Sequence, residues 1–432
     1  MTGAVLGVLA ALPVPTALAD GTGDPAGYAF DPHARSVAAA TGTSDAARLE
    51  PGADYRGTLP HAGKTYYRLE LDAGSTAYVA ATAVPPPGSA LSAGDGIRLS
   101  LQDADSHYCS NDTAVVGAAR SARPITAWVA RAVVPGRSTC QDAGTYYVVA
   151  ERMRTGSPAS AAPTADDPWQ IELAVAAEPP LKETGATRAP EAWDSAAPAA
   201  RSGEPRARPG GAGFTAATPI GQGAWSARVT PGQTLFYKVP LDWGRQLSAV
   251  AELGSAAGGG RHVAAALRLS LYNPVRAEVD DTTVAYDGSQ RTAELPALPP
   301  VEYRNRYAIR QTQSALRFAG SYYLVVHLAA QVAAEVGNGP FGLVLRVRIH
   351  GTGQPSGPGY AGQPVPRDLF TVPQEDRRTA LVGSAGGNTA MRALAVGGIG
   401  TGTVLLAVLG IWTVTARRRA DQTRVSAQNP TA

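Results

Sequence analysis

The sequence is poor in sulfur, in histidine and in charge of any one sign. Only 2 of its 432 residues are cysteine and 3 are methionine. Neither cysteine sits in a CxxC or CxxCH context, which argues against redox catalysis, a zinc site or haem attachment. Lysine plus arginine (38) nearly balances aspartate plus glutamate (35). The arginines are scattered rather than gathered into a stripe, so the electrostatic footprint of a nucleic-acid binder is missing. There is no GxSxG elbow, no HExxH helix, no GxxxxGK[ST] loop and no GxGxxG following a strand, and each absence argues against one class of enzyme. The 6 histidines are isolated from one another in sequence. Glycine (48) and proline (34) are abundant instead, a balance that favours short strands, turns and linkers over helix.

The ends of the chain set an expected location. The run AVLGVLAALPVPTALAD closes on Ala17-Leu18-Ala19, the small-x-small pattern read by signal peptidase, so residues 1–19 are expected to be a signal peptide, although no basic residue precedes the apolar run. Residues 393–416 form an uncharged stretch of 24 residues followed by Arg417, Arg418 and Arg419. At about 1.5 Å per residue, a helix of that length crosses a hydrocarbon core of about 30 Å. The arginine triplet is retained on the cytoplasmic side and Trp412 falls at the interface, so a single-pass membrane protein is expected, with its bulk outside and residues 417–432 inside. Gly398 and Gly402 have the GxxxG spacing of a close helix–helix contact; in so Gly-rich a segment chance is the simpler source of it. In an exported chain the even pair Cys109 and Cys140 reads as a disulfide. Closing a loop of this size contributes about 3 to 4 kcal/mol in the chain-entropy model.

The body of the chain repeats itself. TYYRLELDAG (Thr65 to Gly74) matches LFYKVPLDWG (Leu235 to Gly244), and IRLSLQDA (Ile97 to Ala104) matches LRLSLYNP (Leu267 to Pro274). AGTYYVV, within Asp142 to Glu151, matches AGSYYLVV, within Phe318 to His327, and DPWQIELAV (Asp167 to Val175) matches GPFGLVLRV (Gly339 to Val347). The offsets are 170, 170, 176 and 172 residues, and four matches in one order at nearly constant offset imply a duplication. Tyr67, Leu69 and Leu71 alternate with charged neighbours, as do Leu267, Leu269 and Leu271 with Arg268, Ser270 and Tyr272, which is the period of half-buried strands. Turn residues follow them at DADS and NPVR. Short strands punctuated by Gly and Pro predict antiparallel sandwiches.

These blocks, YYRLELDAG, IRLSLQDA, AGTYYVVAE and WQIELAV, resemble the bacterial pre-peptidase C-terminal domain, a jelly-roll-like β-sandwich appended to secreted proteins. The layout with DWG, SLYNP, PGYAG and the C-terminal span further resembles a group of actinobacterial single-pass membrane proteins. The fold class expected is mainly β: two tandem antiparallel β-sandwich, jelly-roll-like domains at 46–177 and 214–351, plus one C-terminal transmembrane helix. Residues 20–45 read as an N-terminal extension, 178–213 as a linker, and 352–392 as a Gly/Pro-rich stalk holding the second domain away from the membrane.

Other motifs weigh less. Asp103, Asp105 and His107 invite a calcium reading, but Tyr108 and Ala114 stand where an EF-hand loop needs Gly and Glu, so a solvated turn is preferred. The three aspartates of EVDDTTVAYDG receive the same reading. Trp225, Trp243, Tyr146, Tyr147, Tyr322 and Tyr323 would suit a sugar-binding face, yet their place in strand blocks favours packing. No catalytic residue, cofactor or metal is assigned. The expected role is a non-enzymatic interaction or scaffolding protein of the bacterial cell envelope. Cell-wall glycan binding, or service as an accessory subunit of an envelope enzyme or secretion complex, are the alternatives. The partners are the membrane and an envelope protein or cell-wall polymer, without nucleic acid.

Overall fold

The computed structural model describes residues 27–134, 136–155, 167–183, 185–196, 203–256, 259–353 and 357–382. The signal peptide, the span at 393–416, Gly398, Gly402, Trp412 and Arg417 to Arg419 lie outside them. Among the described residues no helix is long and apolar enough to cross a membrane.

The first half contributes ten strands: β1 (Arg35–Ser36), β2 (Ala47–Arg48), β3 (Asp54–Leu59), β4 (Lys64–Leu71), β5 (Thr76–Val84), β6 (Gly96–Asp103), β7 (Tyr108–Val115), β8 (Ile125–Arg131), β9 (Gly144–Met153) and β10 (Trp169–Glu178). They form two five-stranded sheets, ordered β1-β3-β10-β5-β8 and β2-β4-β9-β6-β7. The second half repeats this with β11 (Arg206–Ala207), β12 (Thr218–Pro219), β13 (Gly223–Val229), β14 (Thr234–Leu241), β15 (Gln246–Leu253), β16 (Val263–Tyr272), β17 (Glu278–Tyr286), β18 (Arg291–Glu294), β19 (Gly320–Leu328) and β20 (Phe341–His350). Its sheets run β11-β13-β20-β15-β18 and β12-β14-β19-β16-β17. The correspondence extends to register. Leu69 faces Tyr146 as Val239 faces Tyr322, and Leu173 faces Ala81 as Leu345 faces Ala251. The sequence offsets of the repeat carry one register onto the other.

Alternation explains the cores. Tyr67 and Leu69 of β4, and Ile97, Leu99 and Leu101 of β6, are buried against Trp169, Ile171 and Leu173 of the facing sheet. Tyr237, Val239, Leu269, Leu271, Leu343 and Leu345 do the same in the second sandwich. The long stretch between the second and third repeat blocks supplies one edge strand to each sheet, β7 and β8 in the first half and β17 and β18 in the second. The duplicated tyrosine pair is divided between roles. Tyr146 and Tyr322 point into the cores and donate hydrogen bonds to the backbone carbonyls of Asp142 and Phe318, at 2.6 and 2.8 Å.

Three features depart from expectation. β1 lies in the N-terminal extension and β11 in the linker, each adding a two-residue parallel edge strand to a sheet. The insertion between β18 and β19 carries a 3-10 turn at Tyr303–Tyr307 and a short helix, α1 (Gln311–Ala315). The third is a correction: within the expected stalk, residues 357–382 are no extended spacer but a strap. Tyr360 bridges to Leu181 and Val365 to Ala177, Phe370 and Val372 are buried, and a helix (Gln374–Val382) packs its Ala380 into the second core. Apolar residues spaced along a Pro-rich segment gain burial by lying on the sandwiches, which an extended stalk would forgo.

Candidate functional site

The disulfide between Cys109 and Cys140 is formed, with 5.6 Å between the Cα atoms. It ties β7 to the loop before β9.

Asp103, Asp105 and His107 do come together, their ligand atoms within 4.8 Å of one another. The Asp103 carboxylate, however, closes the hairpin. Oδ1 accepts the backbone N–H groups of Asp105 and His107 at 3.1 and 2.8 Å, and Oδ2 lies 3.1 Å from the His107 ring. Asn273, at the matching place, accepts from the N–H groups of Val275 and Ala277 at 3.1 and 3.0 Å. The same turn is thus built with an amide where no carboxylate cage exists, so its common property is turn geometry.

Those two hairpins differ at one residue. Ser106 and Arg276 both occupy the left-handed region, with φ of 66° and 60°. Ser106 faces solvent, whereas Arg276 packs on the outer face of a sheet of the first sandwich, where it pairs with the fully buried Glu172 and lies 3.4 Å from Asp54. Glu172 also accepts the Tyr28 hydroxyl and the N–H of Asp31. Burial, only partly offset by Arg276, pushes the Asp54 carboxyl up to about 6. A second buried carboxylate, Glu178, accepts from Tyr78 at 2.7 Å, from Arg306 at 2.6 Å and from Tyr360 of the strap at 2.8 Å. Beside these carboxylates Phe318 and Phe370 stack with ring centroids 4.5 Å apart, and Tyr78 meets both edge-on. The sandwiches are therefore joined through a buried seam.

His327, on β19, sits on the same seam between two hydroxyls, that of Thr234 on the neighbouring β14 and that of Ser121 from a loop of the first half. Its Nε2 is 2.9 Å from the Ser121 hydroxyl and its Nδ1 is 2.9 Å from that of Thr234. Although a Ser–His contact is the start of a nucleophilic dyad, the third group here is a hydroxyl rather than a carboxylate. Burial, with Arg123 and Arg268 nearby, pushes the imidazole down to about 3, far from the range a general base needs. The adjoining cavity holds about 20 Å³, room for little more than a water molecule.

An open groove of about 840 Å³ lies at the edge where the two sheets of the second sandwich part. Arg206 and Arg208 line one side, Lys238 and Pro240 of β14 the floor with Trp225, and the C-terminal helix the other side, bringing Asp376 to the rim. The indole is half-buried and its N–H donates to the Gly221 carbonyl at 3.0 Å. Gln222 holds the helix in place through the Ala380 and Leu381 carbonyls. Of the six aromatics considered for a sugar face, Trp225 alone lines this groove. Trp243, Tyr146 and Tyr322 are core residues and Tyr323 packs at the seam against Phe214. Arg206 and Arg208 carry no motif, and only the strand pairing of β11 reveals them.

No protein-family model and no curated relative matches the chain. Among solved structures, a tandem of CBM22 domains from Paenibacillus barcinonensis is similar at 10% identity, covering 69% of this chain and 86% of that one, with a TM-score of 0.18. Tandem CBM51 modules of a family 98 glycoside hydrolase from Streptococcus pneumoniae match at 8% identity, covering 70% and 85%, with a TM-score of 0.17. A triple jelly-roll protein of an archaeal virus matches at 12% identity with a TM-score of 0.17, 69% of this chain aligning with 60% of that one. At such scores none bears on what this chain does.

Proposed function

We propose that the protein is an exported, membrane-anchored, non-enzymatic binding protein of the bacterial cell envelope, in which the two sandwiches act as one rigid body. The observation that carries this reading is the seam. Removing one partner of a buried charge pair leaves an uncompensated charge and costs about 3 to 5 kcal/mol, so Glu172–Arg276 and Glu178–Arg306 oppose any swinging of the halves. A rigid body suits the presentation of a surface at fixed orientation, and the terminal segments of the sequence supply the expected export and anchoring. Binding of a cell-wall glycan is the more specific alternative, favoured by the basic groove with its indole.

Crosslinking of the full-length protein in its native membrane, followed by mass spectrometry, tests the reading. Recovery of an envelope protein or wall polymer from the membrane fraction supports it. Recovery of the protein in the cytosolic fraction, or breakdown of an envelope polymer by the purified protein, would sink it.

A further inference from the structure

We propose that the groove of the second sandwich binds an anionic saccharide chain, its carboxylate or phosphate groups held by Arg206, Arg208 and Lys238 and one sugar ring laid on Trp225.

The argument comes from comparing the two copies. In the first sandwich Arg35 lies opposite Tyr55, as Arg206 lies opposite Trp225 in the second, and Arg68 occupies the place of Lys238. There the basic groups are neutralised: Arg35 pairs with Glu50 at 2.8 Å and Arg68 with Glu70 at 3.4 Å, while Glu70 also accepts from Thr145. The second copy keeps the cations and loses both acids. Gly221 stands where Glu50 would be, its carbonyl bonded to Trp225 as the Glu50 N–H is bonded to Tyr55. Pro240 replaces Glu70, opposite Ser321 as Glu70 is opposite Thr145. Arg208 adds a cation at the place of Val37, each N–H bonding the strand alongside.

None of Arg206, Arg208 and Lys238 has a carboxylate partner among the described residues, and Asp376 is the one acid on the rim. The space left by Glu50 is used as well. A Cβ on Gly221 would lie 2.6 Å from the Thr379 carbonyl, so the missing side chain is what lets the C-terminal helix close the far wall. Three cations without a carboxylate partner among the described residues, beside an aromatic face in a cavity of ligand size, match the chemistry of an acidic sugar: charge-assisted hydrogen bonds for the anion and a stacking platform for the ring. The groove is too large for a single inorganic ion and is open to solvent.

The inference rests on the reading of the protein as a binding protein, and the two fail separately, because pure protein tests the groove whereas cell fractionation tests the location. Full-length protein in detergent is titrated at about 0.15 M salt, where weak surface attraction is screened, with polygalacturonate, poly(glycerol phosphate) and a neutral β-glucan. Binding of the uronate polymer alone assigns a carboxylate ligand, of the phosphate polymer alone a phosphate ligand, and of both an unselective anion groove. Lys238→Gln and Pro240→Glu, the latter restoring the acid of the first copy, are each expected to weaken binding roughly tenfold with the melting midpoint unchanged. Should either fail to fold, Arg208→Gln on the exposed rim serves instead. Absence of binding to both polyanions, equal binding of the neutral glucan, or affinity indifferent to the groove substitutions overturns the proposal.

Discussion

Glu172 shows how far a single side chain can depart from its sequence pattern. In WQIELAV it stands among the polar positions of an alternating strand, which assigns it to solvent. It is nonetheless fully buried, because the outer face of its sheet is covered by the Arg276 hairpin and by Tyr28. Glu172→Ala is expected to lower unfolding free energy by about 3 to 5 kcal/mol in urea titration; a change under about 1 kcal/mol would mean the pair is solvated. Residue-scale acidity follows from His327. Below its ordinary value of 6.5 the unfolded chain takes up a proton that the folded imidazole, held down to about 3, excludes. Stability contributed by the neutral ring is complete above pH 6.5 and is lost as pH falls toward 3, by up to a few kcal/mol. Asp54 works in the opposite sense, since its raised pKa of about 6 favours the folded state at low pH. His327→Gln therefore isolates the first effect, and its pH–stability curve should decline less between pH 6.5 and 4 than that of the native protein.

At the scale of elements, the strands of the repeat blocks and the disulfide were legible, because alternation and cysteine parity are local signals. The edge strands β1 and β11 were not, since two residues carry no period. Nor was the strap: Phe370 and Ala380 are single apolar residues in a polar, Pro-rich segment, and their burial depends on surfaces built far away in sequence. The groove was legible only in Trp225, because a loss such as Glu70 to Pro240 has meaning only once the copies are aligned in register. Phe370 stacks on Phe318 and abuts Tyr78, so Phe370→Ala is expected to cost about 3 to 5 kcal/mol. Limited proteolysis should then cut within 357–382 at protease levels that leave the native protein intact.

For the whole molecule, the buried seam between the duplicated halves is expected to make them unfold as one cooperative unit. Replacing Cys109 and Cys140 together by serine removes a cross-link confined to the first sandwich, at a cost of about 2 to 5 kcal/mol. With the halves coupled, hydrogen exchange of core amides in β14 and β19 should speed up along with those in β4 and β9. Faster exchange in the first half alone would show that the sandwiches unfold independently.

The strap has a mechanical meaning too. In chain order the helix that walls the groove follows Phe370, Tyr360 and the sheets, so tension applied at the C-terminal side of the helix passes to it first, then to Phe370 and Tyr360, and only afterwards to either sheet. Gln222, which grips that helix through two carbonyls, is the fastener nearest the load. A ligand bridging the groove and the helix would share that load, and a pull strong enough to peel the helix away would open the groove before it unfolded a sandwich.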